Sequence, residues 1–212
     1  MKITKFGHCC LLIEEGGLRI LTDPGNYTTE QNSVTGIDIV LITHEHQDHL
    51  HVDSLKKVLA NNPSVKVYTN RGVAKLLDKA GLSCQLLEHG KQVTEGGVLI
   101  EAFGEQHQPM YPSVPPVANT GYFIGGKLFY PGDAFTNPGK PVDILALPIT
   151  APWLKMAESI DYAKQVGPRV CFPVHDGNYS KPPGSIKNFP PPLLAPQGIT
   201  YTILELGKAT EL

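Results

Sequence analysis

The chain has 212 residues, with 18 Lys and Arg against 20 Asp and Glu, for a formal net charge of −2. That balance lacks the basic footprint of a nucleic-acid binder, and no stretch reaches the roughly 20 apolar residues of a membrane helix. With 41% hydrophobic and 18% charged residues, the composition is that of a globular chain long enough to bury a core.

The opening, MKITKFGHCCLLIEEGG, alternates and carries acids where an export signal needs an apolar run, so a cytoplasmic protein is expected. Strands are predicted at 2–6, 9–14 and 18–22, the last two joined by the turn signal EEGG. Cys9, Cys10, Cys84 and Cys171 form no C-x-x-C pair and read as plain buried thiols. IDIVLIT, at 37–43, is a β-branched apolar run that suits a strand buried on both faces.

A helix is predicted over 52–62 with Asp53 as its N-cap, then a strand at 65–69 and a helix over 71–82 closing at Gly81. Strands follow at 84–87, 91–94, 98–103, 119–124, 127–130 and 142–148. A helix over 152–167, with Pro152 near its first turn and Gly167 past its end, precedes a strand at 169–174 and a last strand at 199–206. The Pro-rich stretches 109–116 and 181–196 read as loops. With no linker or short-period repeat, one domain over 1–212 is expected, with sheets inside and helices outside.

The chemistry concentrates in LITHEHQDHLHVD, residues 41–53. In extended backbone His44 and His46 point to one side, so two imidazoles can grip one divalent cation. Asp48 and His49, at the turn into the helix, can address a second ion or the water between the two. Imidazole suits Zn, Fe, Ni or Cu, and carboxylate adds Mn. Packing these ionisable groups unpaired behind a buried strand would be costly. Further ligands must come from later strand ends, where His107, Asp133 and His175 each sit. His51 reads as the start of a helix, His89 as a surface histidine, and His8 as a structural histidine or a group behind the ligands.

Thr43-His44-Glu45-His46-Gln47-Asp48-His49, then a later His, then Gly132-Asp133, then Pro173-Val174-His175, resembles the metallo-β-lactamase-fold hydrolases. FGHCCLLIEEGGLRILTDPG, at 6–25, resembles the branch that includes ascorbate-phosphate lactonase-like proteins. The resemblance runs from about residue 3 to 206. It implies an α/β fold, the αββα sandwich, with two mostly antiparallel or mixed sheets flanked by helices and the site at one edge. It further implies that His44, His46 and His107 hold one metal, that Asp48, His49 and His175 hold the other, and that Asp133 bridges them. Asp23 would brace the metal loops without binding metal. The chain departs from the family pattern at Leu50-His51-Val52, where a glycine is common.

The resemblance implies two divalent ions, Zn first, with Mn, Fe or Ni as alternatives. Such a pair lowers the pKa of a water between the ions, and the bridging hydroxide would attack an ester-type bond, lactone or phosphoester, in a small-molecule substrate. Asp48 is the expected catalytic residue, orienting the nucleophile and passing a proton. No G-x-S-x-G elbow suggests a serine nucleophile. Tyr111, Phe135, Trp153 and Tyr179 are candidate wall residues, and Lys181 a candidate anion partner. The competing readings are a non-catalytic metal- or ligand-binding scaffold and a mononuclear iron redox enzyme of the same fold. No nucleic-acid or membrane partner is expected, and a homo-oligomer is left open.

Overall fold

The computed structural model describes residues 1–177 and 186–212. The described strands form two seven-stranded sheets. The first begins with a meander, β1 (Lys2–Gly7), β2 (Cys10–Glu15) and β3 (Leu18–Thr22), paired antiparallel. It continues in parallel through β4 (Ile39–Leu41), β5 (Lys66–Thr69) and β6 (Gln85–Leu86), with α1 (Val52–Asn61) and α2 (Arg71–Lys79) as crossovers. The second sheet repeats the plan. A meander of β7 (Gln92–Glu95), β8 (Val98–Phe103), β9 (Gly121–Ile124) and β10 (Leu128–Tyr130) passes into parallel β11 (Ile144–Pro148), β12 (Val170–Val174) and β13 (Thr200–Tyr201). Here α3 (Met156–Val166) connects β11 to β12, and the short α4 (Pro191–Leu194) precedes β13. Strand β14 (Ala209–Glu211) returns to pair with β1 in the first sheet.

Period-two burial explains the layering. Leu11, Ile13, Ile20, Ile39 and Leu41 face Ile144, Ala146, Phe172 and Val174 in the core between the sheets. The alternate residues Cys10, Leu12, Leu21, Val40 and Ile42 pack outward on Leu55, Val58, Val73 and Leu77 of α1 and α2. Leu145, Leu147 and Cys171 pack outward on Ile160 and Ala163 of α3. The result is helices, sheet, sheet, helices, as the αββα expectation required. In the run at 37–43 Asp38 is exposed, but β4 is buried on both faces because one face meets each apolar layer.

Several element boundaries differ from the sequence reading. Asp53 does not cap α1; His51 holds that position and its Nδ1 is 2.9 Å from Ser54 Oγ. Helix α3 starts at Met156, not at Pro152, because the Lys155 N–H donates to the Glu158 carboxylate at 2.8 Å and fixes the first turn there. The predicted strand 199–206 pairs only over Thr200–Tyr201 at the sheet edge, where Ile203 and Leu206 are exposed. Among the described residues no helix is long and apolar enough to cross a membrane.

Candidate metal centre

The meanders make β1, β3 and β4 run in one direction in the first sheet, and β8, β10, β11 and β12 in one direction in the second. Their C-terminal ends carry His8, Asp23 and the 44–49 loop on one side, and His107, Asp133, Thr150 and His175 on the other. Strand ends of this kind are where α/β sheets gather ligands.

The structure brings the seven expected ligand residues together. Nε2 of His44 lies 3.1 Å from Nδ1 of His46, and these two with His107 form one compact donor group. Asp48, His49 and His175 form a second, which also contains His8. The Asp133 carboxylate lies between them, 3.1 Å from His49 Nε2, 2.9 Å from His175 Nε2, 3.4 Å from His107 Nε2 and 3.9 Å from His44 Nε2.

Four of these rings are anchored through Nδ1. That of His107 lies 2.6 Å from the Gln108 carbonyl oxygen, and that of His175 lies 2.5 Å from the Thr150 carbonyl oxygen. Nδ1 of His49 is 2.7 Å from Asp23 Oδ2. Thr43 donates its hydroxyl to Asp23 at 2.7 Å, so its oxygen accepts from Nδ1 of His44 at 3.0 Å. In the neutral ring an acceptor at Nδ1 fixes the proton there and leaves the lone pair on Nε2, the usual preparation of a metal-binding histidine.

The loops that hold these groups are built by close backbone approach. Asp23 receives the Thr43 N–H at 2.8 Å and the Tyr130 hydroxyl at 2.5 Å, which ties the two sheets beneath the site. Gly25 is required for packing: a Cβ there would lie 1.9 Å from the Asp48 carbonyl oxygen. Among the described residues, the non-glycine residues with positive φ are His8 (46°), Asp23 (39°) and His175 (55°), all at the site. Strained backbone concentrates at functional positions when surrounding structure holds it.

The electrostatics are those of charges held without water. Burial, then the neighbouring His49, keeps His44 neutral with its pKa well below the ordinary value. Burial also opposes charge on His49 and His175, but the Asp133 carboxylate overrides it; His49 is held well above its ordinary value and His175 reaches about 11. Asp133 is itself held well below the carboxylate range, against burial, by His49 and His175. Asp48 is lowered too, against burial, by hydrogen bonds from His175 and His8.

The donor set fits divalent metal. His49 Nε2, His107 Nε2 and Asp133 Oδ1 are buried and make no hydrogen bond, an arrangement that would be costly if nothing occupied the space between them. Imidazole and carboxylate together suit Zn, Mn, Fe or Ni.

A cavity of about 800 Å³ opens over these groups, lined by His46, Asp48, His107, Asp133 and His175 and by Tyr27, Met110, Pro152 and Trp153. Trp153, a wall candidate, does more than pack: its Nε1–H donates to Asp133 Oδ2 at 3.0 Å. Phe135 packs on Trp153 and Tyr162 and does not line the cavity, and Tyr111 is exposed. Tyr179 and Lys181 lie outside the described residues. His89 is exposed, with Nδ1 accepting the Gly104 N–H, and His51 stays at the start of α1. Cys9, read as a plain buried thiol, is buried, but its sulfur lies within 4.8 Å of donor atoms of His49 and Asp133. Neither the Cys9 nor the Trp153 contact has a sequence signal, since both depend on how the sheets stack.

Residues 2–175 match the model of the Beta-lactamase superfamily domain. The Mycobacterium tuberculosis protein Rv0786c is 36% identical over 180 residues, 82% of this chain and 84% of that protein. A UPF0173 metal-dependent hydrolase of Aeropyrum pernix is 37% identical over a shorter stretch of 79 residues, 35% of this chain and 32% of that protein. A candidate metal-dependent hydrolase of Parabacteroides distasonis superposes with a TM-score of 0.78 at 25% identity, over 96% of this chain and 92% of its own. The diiron β-hydroxylase CmlA of Streptomyces venezuelae shares the fold with a TM-score of 0.76 at 14% identity, over all of this chain and 54% of its own. A family match over most of the length, carried through the histidine cluster to His175, places the chain in the Beta-lactamase superfamily.

Proposed function

We propose that the chain, a metal-dependent hydrolase of this superfamily, is dinuclear and cleaves an ester-type bond in a small molecule. The observation that carries this reading is the place of Asp133, whose carboxylate lies within 4 Å of histidines from both donor groups. His44, His46 and His107 would hold one ion, and Asp48, His49 and His175 the other, with Asp133 shared. Ions held there supply Lewis acidity and an activated water near neutral pH. Asp48 borders the cavity and orients the nucleophile, then takes and returns a proton at its carboxylate. Trp153 and the carbonyls behind His107 and His175 fix the ligands so that little reorganisation accompanies reaction. The rings of Tyr27 and Trp153 with Met110 and Pro152 give an apolar wall. That wall supports an apolar substrate body beside the scissile lactone or phosphoester bond.

The test is elemental analysis of freshly purified protein beside Asp133→Ala and His46→Ala, with hydrolysis of aliphatic lactones, p-nitrophenyl esters and bis-p-nitrophenyl phosphate. Close to two equivalents of metal are expected in the wild type, with loss of at least one and of most activity in both variants. His51→Ala and His89→Ala should keep both. Full loading of His46→Ala would sink the assignment. A second reading, an iron redox enzyme, draws on the shared fold of the diiron β-hydroxylase; iron as the bound metal with an EPR signal and no hydrolysis would favour it.

A further inference from the structure

His8 sits in the same donor group as Asp48, His49 and His175, but its ring is oriented the other way. The anchored ligand histidines direct Nδ1 at an acceptor: Thr43 Oγ1, the Asp23 carboxylate, the Gln108 carbonyl and the Thr150 carbonyl. Nδ1 of His8 instead accepts the Gly177 N–H at 3.0 Å. A backbone amide only donates, so the neutral ring carries its proton on Nε2. That nitrogen lies 3.1 Å from Asp48 Oδ2. A protonated nitrogen has no lone pair for a metal, so proximity to the donor group does not make His8 a ligand.

The ring is held firmly in this orientation. It is 3% exposed, and its centroid is 4.5 Å from that of Tyr27 and 4.2 Å from that of His175. Its carbonyl accepts the His175 N–H at 3.2 Å. A side chain at residue 177 would disturb the arrangement, since a Cβ on Gly177 would lie 3.0 Å from His8 Nδ1 and 2.9 Å from the Tyr27 ring. His8 does not line the cavity, so it reaches the reaction only through Asp48.

We propose that His8 is the positioning residue for Asp48: its fixed Nε2–H holds Oδ2, the oxygen that also faces His175 Nε2 at 3.4 Å and His49 Nε2 at 3.9 Å, and so sets the angle at which the carboxylate meets the donor group and the nucleophile. This rests on the reading of Asp48 as the group that handles the nucleophile.

Two measurements test it. Long-range proton–nitrogen correlation on histidine-labelled protein, with and without Zn, reads the tautomer of His8 directly, its signal identified by its loss in His8→Gln. The Nε2–H form is expected, and the Nδ1–H form would overturn the proposal. In the second, Zn content and hydrolysis are compared for wild type, His8→Gln and His8→Leu, using whichever ester or lactone the wild type cleaves. Gln keeps an N–H donor near the position of Nε2, and Leu does not. Both variants should hold as much Zn as the wild type. In His8→Leu, kcat should fall about 10- to 100-fold with KM nearly unchanged, and His8→Gln should recover most of it. Loss of Zn in His8→Gln would make His8 a ligand and overturn the proposal, as would an undiminished kcat in a folded His8→Leu. A wild type that binds no metal and cleaves nothing fails the hydrolase reading instead, while the tautomer of His8 is still read in the metal-free protein.

Discussion

Nδ1 of His49 lies 2.7 Å from Oδ2 of Asp23, and both side chains are fully buried. The same oxygen also receives the hydroxyls of Thr43 and Tyr130. A candidate ligand on one sheet is thus oriented by a carboxylate that the other sheet helps to fix. Asp23→Asn keeps the shape and tolerates the positive φ, so it tests the hydrogen bond and not the backbone. Metal affinity should fall about 10- to 100-fold, read by competition with a chromogenic chelator, with a smaller effect for Tyr130→Phe.

Gly25 is the second sensitive point. A Cβ there would collide with backbone, not with a movable side-chain end, and the loop carrying Asp48 and His49 would have to shift. Gly25→Ala should cost metal binding at one ion with little loss of helical circular dichroism. Normal metal content in this variant would show the loop to be freer than its packing indicates.

Beneath the site, Lys5 of β1 is 2% exposed and donates to the Pro173 carbonyl and to Asp176, each at 2.7 Å. Burial lowers the Lys5 pKa and the Asp176 charge works against that. Lys187 Nζ, 2.6 Å from Asp176 Oδ2, stays when Lys5 is removed, so the cost should fall below that of a fully stranded buried charge, about 3–5 kcal/mol. Lys5→Ala should show that loss in urea denaturation; a change under about 1 kcal/mol would mean the pair is solvated in solution.

The charges at the site predict proton release on metal uptake. The folded pKa of His175, about 11, is raised above its ordinary value. Below about pH 6.5 the folded and unfolded chains both carry that proton. Between there and pH 11 only the metal-free folded chain keeps it, so the stability it lends declines across that window and is gone once pH has risen through 11. A metal must displace this proton to use Nε2, so apparent affinity should rise about tenfold per pH unit for each proton expelled. Calorimetry in buffers of different ionisation enthalpy counts the protons; release of none at pH 7.5 would contradict the charge state described.

The donor cluster was legible because its signal is local. An apolar run of strand length ends in alternating histidines, and that pattern survives any packing of the rest. His107, Asp133 and His175 were legible for the same reason, each lying just past a strand. The wiring was not legible. Trp153 reaches Asp133 across 20 positions, and Pro152–Trp153 look like a helix start because nothing local says that they face a cavity. Strand β14 was missed since its residues are largely exposed and only pairing with β1 defines it. Likewise, the opposite orientation of His8 is set by Gly177, 169 residues away.

Each donor group draws on both sheets: His44 and His46 meet His107, and Asp48 and His49 meet His175, with Asp133 from the second sheet shared. Neither group exists until the two layers have docked. An ion held there would need the layers already docked, and its loading would rivet them together. At a free concentration 100 times its dissociation constant, an ion binding only the docked state adds about 2.7 kcal/mol against their separation. A chelator would then do more than silence the enzyme: it would lower the free energy needed to open the core itself.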